Sequence, residues 1–401
     1  MVVVAVAIGA FRIVHAPTPQ ASSPHAPHSG TRTGPQLAPS AGSKPIVGVL
    51  GVSGNFLARE KASGVDAVTI SVSWASAQPA PGALVPPYLA GIQSQIAAAR
   101  ATGLRVILDP GLQYPPAWVF SLPGGTRFVN QYGDVFTGSV DSGNDVANAV
   151  TDPAVRTAET TYLRLLGAQI APGEIMAIRQ GGGPLGELRY PSPDYNGHTN
   201  SFWAYDTSTQ SVSSVPGWKP GTGSGTQAKE FLDSYNADLD DFGRWLNGEL
   251  HHDFDTTELV LLPGWGERTG TDAYEVASLL TLPMPEFNEG LDWSDLLYSL
   301  PDAAHSVAYT TYLDAPSNGT SLRTEDPADY LAYLVQGTPL KLGGENTGGG
   351  TTAALQLSWH RARTLHFTIF NWMDEAQLVA STRGLDPSGP TFNLLKLAAA
   401  S

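Results

Sequence analysis

The chain has no cysteine among its 401 residues. Disulfide staples, thiolate metal sites and thiol redox chemistry are therefore excluded, while the compartment stays open. Charge is also scarce. Only 15% of residues are Asp, Glu, Lys or Arg, and they sum to a net charge of −15 with a pI near 4.9. An acidic surface repels phosphate backbones, which argues against a nucleic-acid partner. A neutral sugar is indifferent to that charge. Long apolar runs are missing beyond the N-terminus. Residues 1–14 are apolar except for Arg12, short of the roughly 20 residues a bilayer span needs. They read as a signal-like segment or an anchor, with a chance apolar run as the alternative. Residues 15–43, rich in Pro, Ser, His and Gly, read as a disordered linker. The expectation is a secreted or surface-tethered protein, with no membrane partner beyond that segment and an open oligomeric state.

From Lys44 to the C-terminus, short β-rich runs alternate with helical ones. Strands are expected at 45–52, 65–74, 104–110, 175–180, 259–265, 306–313, 340–344 and 365–372. A turn and short helix are expected at 54–62, and helices at 88–102, 153–166, 228–250, 272–280, 328–336, 352–362 and 393–399. Leu89, Ile92, Ile96 and Ala99 share one helical face, as do Phe231, Tyr235, Leu239, Phe242 and Leu246. Eight strands, each with a helical partner, predict a single α/β domain, a (β/α)8 TIM barrel over 44–401 with long loops after strands three and four.

Such barrels put their chemistry on the loops after the strand C-termini. Two of these loops carry an isolated acid. The fourth strand runs into Gln180-Gly181-Gly182-Gly183-Pro184-Leu185-Gly186-Glu187-Leu188-Arg189-Tyr190-Pro191-Ser192, and the seventh into Gly343-Gly344-Glu345-Asn346. Glycines bend each path, with a proline in the first, so each acid could equally be a solvated residue of a Gly-rich turn. Taken together, two carboxylates on one barrel face are what glycosidic-bond hydrolysis requires: one protonates the leaving oxygen, the other attacks or activates water. Glu267, after the fifth strand, is the rival for the second role.

Aromatic and polar residues gather at the same ends. Trp74, Trp118, Trp203, Trp218, Trp265 and Trp372 fall at or after strand ends, whereas Trp245, Trp293 and Trp359 look like packing residues. Rings stack on sugar C–H faces, and fixed polar groups meet the hydroxyls. The candidate substrate-binding set is Trp74, Asp109, Gln113, Tyr114, Trp118, Arg189, Tyr190, Trp265, Glu267, Asn346, Asn371 and Trp372. Packing of the loops' own aromatics is the alternative, and Arg179 and Gln180 either line the mouth or fill it. No cofactor is expected. A metal at His251-His252-Asp253 is not expected, because adjacent side chains point apart, and the 236–241 acids lack the Gly and Glu of a calcium loop.

The motif Gly183-Pro184 with Gly186-Glu187-Leu188-Arg189-Tyr190-Pro191-Ser192 resembles the acid motif of glycoside hydrolase family 14, the β-amylases, and Gly344-Glu345-Asn346 resembles that family's second catalytic motif. The resemblance implies Glu187 as general acid and Glu345 as the base of an inverting reaction. The family's flexible His/Cys/Gly segment after strand three is replaced by Leu112–Val119. There Pro115-Pro116-Ala117-Trp118, with Trp74, Gln78-Pro79 and Pro81-Gly82, is more similar to the family 42 β-galactosidases and their retaining clan, as is Trp372. In that clan the acid normally follows Asn; here Gly186 precedes it. The resemblance implies a glycosidase acting on an oligo- or polysaccharide, and leaves sugar, linkage and stereochemistry open. A non-catalytic carbohydrate-binding barrel is the alternative.

Overall fold

A computed structural model describes residues 44–396, except positions 53, 139–142, 172, 269, 318, 320–324, 349 and 394. The N-terminal segment and linker lie outside the described residues. So does most of the expected last helix, 393–399; of its residues 393 and 395–396 are helical, as is 392 before it.

Eight parallel strands close on themselves in chain order. They are β1 (Ile46–Leu50), β2 (Ala67–Ser71), β3 (Arg105–Asp109), β4 (Ala177–Gln180), β5 (Thr257–Leu262), β6 (Ser306–Thr310), β7 (Lys341–Glu345) and β8 (Ile369–Met373). β8 pairs with β1 in the register Ile46 to Ile369 and Gly48 to Asn371, which completes the ring. This is the expected TIM barrel, with helices between the strands. Most strand boundaries differ from the sequence reading by one to four residues, β8 the most, starting at Ile369 rather than 365. β2 ends at Ser71, because Ser73 accepts from the Ser76 amide and starts a helical turn, Trp74–Ala77. β5 lies two to three residues earlier than its apolar run suggests, and Pro263 and Gly264 are already loop.

Side chains alternate across each strand, so one residue in two faces the barrel axis. Ala67, Ile107, Ala177, Leu259, Leu261, Val307, Tyr309 and Ile369 form the inner core. Their neighbours Val68, Leu108, Ile178, Val260, Ala308 and Phe370 face outward and pack against the helices. The inner core is crowded. A Cβ on Gly343 would lie 2.7–2.8 Å from Ile369, Val307 and Tyr309.

Counting two residues onward along each strand from the apolar layer reaches Thr69, Asp109, Arg179, Glu345 and Asn371, all buried. A polar layer therefore caps the inner core at the C-terminal mouth. Overpacking a closed core costs roughly 1–3 kcal/mol. Gly343→Ala is expected to lower the thermal unfolding midpoint by several degrees, measured by calorimetry; an unchanged midpoint would show that the inner layer has slack.

Candidate functional site

Glu345 is the last residue of β7 and is 2% exposed. Arg179, on β4, reaches across the barrel and grips it with both ends of the guanidinium: Nη1 donates to Oε2 at 2.7 Å and Nη2 to Oε1 at 2.9 Å. The Tyr309 hydroxyl, from β6, donates to Oε2 at 2.8 Å. Asn371 Nδ2, from β8, donates in turn to the Tyr309 oxygen at 2.7 Å. Four strands thus converge on one carboxylate. Burial alone would push the Arg179 guanidinium down, but Glu345 more than offsets this and holds it above its ordinary value.

Glu187 arrives from a loop rather than a strand. After β4 the chain doubles back, with the Gly183 amide donating to the Glu187 carbonyl at 2.9 Å. The fold of this loop requires glycine at 181, where a Cβ would lie 1.9 Å from the Gly186 carbonyl oxygen. The Leu188 amide donates to the Leu261 carbonyl at 3.1 Å, and Tyr190 to Glu289 at 3.0 Å, so the loop is sewn to the end of β5 and the segment beyond it. Tyr190 stacks on Tyr235 at 3.9 Å and is fully buried, so it anchors this loop.

The Glu187 carboxyl is 8% exposed. Burial raises its pKa; Arg189 and a 2.6 Å bond from the Thr311 hydroxyl work against that rise, while Glu345's charge adds to it. The two acids therefore feel each other across the mouth. Arg189 Nη1 is bonded to Glu289 at 3.1 Å. Burial foremost sets the Glu289 carboxyl at about 7, with Arg189 opposing and Glu187 reinforcing the shift.

The other sequence candidates divide into three groups. Asp109 ends β3 at the mouth, where it accepts from the Gly111 amide at 3.0 Å and from Gln113 Nε2 at 2.8 Å. Half-buried Tyr114 is pushed up by burial first and by Asp109 next, which places its phenol near the same acid. Asn346 ties β7 to β8: it accepts from the Met373 amide at 2.7 Å.

A second group is core. Trp74 is fully enclosed, 5.1 Å from the Tyr162 ring, and has no face left for a sugar. Trp372 and Trp203 are equally enclosed, and Trp218 nearly so. Trp118 lies edge-on to Trp74 and donates to the Gln78 carbonyl at 3.0 Å. Gln180 faces away from the axis and donates to the Gly243 carbonyl at 2.7 Å.

The third group lies to one side. Glu267 accepts from Asn236 at 2.8 Å, and burial and then Asp292 drive its carboxyl up. Its neighbours are acids of the outer helices rather than Glu187 or Glu345. Trp265 is half-buried beside it in sequence.

Sequence reasoning missed Tyr309, Thr311, Tyr312 and Glu289. The first two were legible: 307, 309 and 311 share the inward parity of the sixth strand. Tyr312 is placed near Glu187, since burial and then that acid's charge raise its phenol. Two shallow hollows of about 500 and 750 Å³ are lined by residues such as Asp152 and Ser208, and Gln93 and Phe254, and by neither of the two acids.

No protein-family model matches the sequence, and no curated protein does. Solved structures do match. The chain superposes on the catalytic domain of a β-amylase from Paenibacillus polymyxa with a TM-score of 0.66 at 16% identity, covering 87% of this chain and 100% of that one. A β-galactosidase from the psychrophilic Marinomonas ef1 matches with a TM-score of 0.57 at 13% identity over 88% of this chain. One from the Antarctic haloarchaeon Halorubrum lacusprofundi gives 0.57 at 12% over 88%. The chain spans 59% and 57% of those two galactosidases. The likeness is one of fold.

Removing one partner of a buried ion pair leaves an uncompensated charge, at about 3–5 kcal/mol. Arg179→Met is therefore expected to be strongly destabilising in chemical denaturation. Adding Glu345→Gln to it should restore much of the loss. A double variant no more stable than Arg179→Met would refute the pairing.

Proposed function

We propose that the barrel is a glycoside hydrolase that cleaves O-glycosidic bonds of an oligo- or polysaccharide, with Glu187 as general acid and Glu345 as the second carboxylate. The observation that carries this reading is the asymmetry of two acids at one barrel mouth. Burial favours a proton on Glu187. Glu345 instead receives three hydrogen bonds, from Arg179 and Tyr309. A buried acid that favours its proton, on the same face as a carboxylate fixed by donors, suits a proton donor and its partner. The fold likeness to a β-amylase and to β-galactosidases supports the same reaction class.

In this reading Glu187 gives its proton to the glycosidic oxygen as the bond to the anomeric carbon breaks. Glu345 either takes a proton from the attacking water or itself bonds the anomeric carbon until water releases it. Arg179 and Tyr309 fix the direction of its oxygens. Half-buried Tyr114 and Tyr312 supply ring faces near the two acids, and Asp109 a hydroxyl acceptor. Export rests on the composition of residues 1–43 alone.

One observation favours a second reading, a barrel that binds glycans without cleaving them. Both oxygens of Glu345 are already engaged by Arg179, and the residue is 2% exposed. A panel of polysaccharides separates the two: released sugars support hydrolysis, and binding without product supports the alternative. Proton NMR of the first anomer released then assigns inversion or retention.

On a cleaved substrate, Glu187→Gln should lose about 10²–10⁴-fold in turnover, and less on an aryl glycoside whose leaving group needs no proton. Glu345→Gln should lose at least as much on both. Near-normal rates in both variants would refute the assignment.

The pH profile has a definite sign. Turnover requires protonated Glu187 and falls as pH rises through its pKa. The Thr311 bond lowers that pKa, so Thr311→Val should move the basic limb to higher pH. A shift to lower pH would contradict the assigned role.

A further inference from the structure

The far end of the barrel carries a second cluster, unrelated to the acids at the mouth. The helix Gly225–Phe254 starts with a capping box between Ser224 and Gln227, and its last turn presents His251. The chain then enters β5, whose second residue is Glu258. The turn that leads into β6 supplies Asp302 and His305. One ligand-type atom from each of His251, Asp302 and His305 lies within 4.8 Å of the others. His305 Nδ1 is 2.8 Å from Asp302 Oδ1, and His251 Nδ1 is 2.8 Å from Asp302 Oδ2.

Two further observations point to something between these groups. His251 Nδ1 makes no hydrogen bond despite that short approach, so its ring is not aimed along an N–H to oxygen line. His305 Nδ1 does bond Asp302, at 2.8 and 3.0 Å from its two oxygens, so His251 is the imidazole of the cluster that meets the carboxylate without a hydrogen bond. Glu258 is fully buried, its Oε1 has no hydrogen-bond partner, and that atom is 3.5 Å from His251 Nδ1. A buried carboxylate oxygen without a donor is costly unless a cation compensates it.

The surroundings are pre-set. Asn247 Nδ2 donates to the Ser306 hydroxyl at 3.0 Å, Ser306 donates to the Asp302 carbonyl at 2.8 Å, and the Asp302 amide donates to Asn247 Oδ1 at 3.2 Å. These bonds hold the Asp302–Ser306 turn against the long helix. His252 takes no part: it is exposed and lies against Asp253 at 2.9 Å.

We propose that His251, Asp302 and His305 bind a divalent transition-metal ion of the zinc type, with Glu258 as the carboxylate on its buried side. Two imidazoles suit Zn²⁺ and its neighbours in the first row rather than Ca²⁺ or Mg²⁺. Two carboxylates balance the charge of the ion. The half-exposed His251 and exposed His305 leave a path from solvent. Such an ion would staple the end of the long helix to the strand entries of β5 and β6. That is the face where barrels keep stability rather than chemistry, so the proposal stands whether or not the mouth hydrolyses sugars.

The test is calorimetric titration of ZnCl₂ into the chelator-treated full chain, with His305→Ala and Asp302→Asn beside it. His305 is exposed and its loss should leave the fold intact, which thermal unfolding without metal checks. The expected result is one tight site, an upward shift of the unfolding midpoint with Zn²⁺, and binding at least about tenfold weaker in either variant. Replacing Zn²⁺ by Co²⁺ should give tetrahedral absorption bands that are lost in His305→Ala. No binding by the parent chain would overturn the proposal. So would binding that both variants retain in full, which would place the ion on other histidines such as those of residues 15–43.

Discussion

The fork of Arg179 around Glu345 is the contact on which the mouth of this barrel depends. Neither charge could sit at that depth alone. Arg179 is 7% exposed and Glu345 2%, and either one unpaired would have to be neutralised or would open the barrel to water. Together they form the centre of a polar layer laid over an apolar one. β4, β6, β7 and β8 each contribute one side chain, so the layer also fixes how these strands sit relative to one another. Gly48, the register partner of Asn371 on the adjacent β1, leaves room for it: a Cβ there would lie 1.7 Å from Asn371 Oδ1.

The second acid is held by different means. Glu187 lies on a loop whose shape is set by its own backbone bonds and by stitches to β5, and it meets a hydroxyl and a nearby guanidinium rather than a direct ion pair. Arg189 is drawn off toward Glu289. The outcome is one carboxyl with three charged or phenolic donors and another with a single hydroxyl donor, on the same face of one barrel. The contrast between the two environments carries the chemical reading more than the presence of two acids does.

Much of this was legible in the chain. Short apolar runs marked most of the strands, because strands buried on both faces are largely apolar, whereas β7, Lys341–Glu345, showed itself by a glycine pair running into an acid. The acids at 187 and 345 stood out because glycine flanks them at strand ends. Other features could not be read locally. Helical segments at Thr207–Val212, Pro285–Asn288, Trp293–Ser299 and Glu375–Thr382 are too short for a period to show. Trp74 and Trp372 both turn into the packing layer, for different reasons: Trp372 has the outward parity of β8, and Trp74 lies on the helical turn that follows β2. Asn346 and Tyr190 were singled out for sugar and serve instead to join segments. The pairing of His251 with Asp302 and His305 depends on a helix returning to the base of the barrel, which no spacing in sequence displays.

The central claim is that residues 187 and 345 act on each other electrostatically at one barrel mouth. The direct measurement is the Glu187 carboxyl pKa, followed by carbon-detected NMR or infrared titration, in the parent chain and in Glu345→Gln. Removing the charge at 345 takes away a neighbour that raises the Glu187 pKa and frees Arg179, so the account predicts a clear fall. An unchanged or higher value would show that the two carboxyls do not face a common pocket.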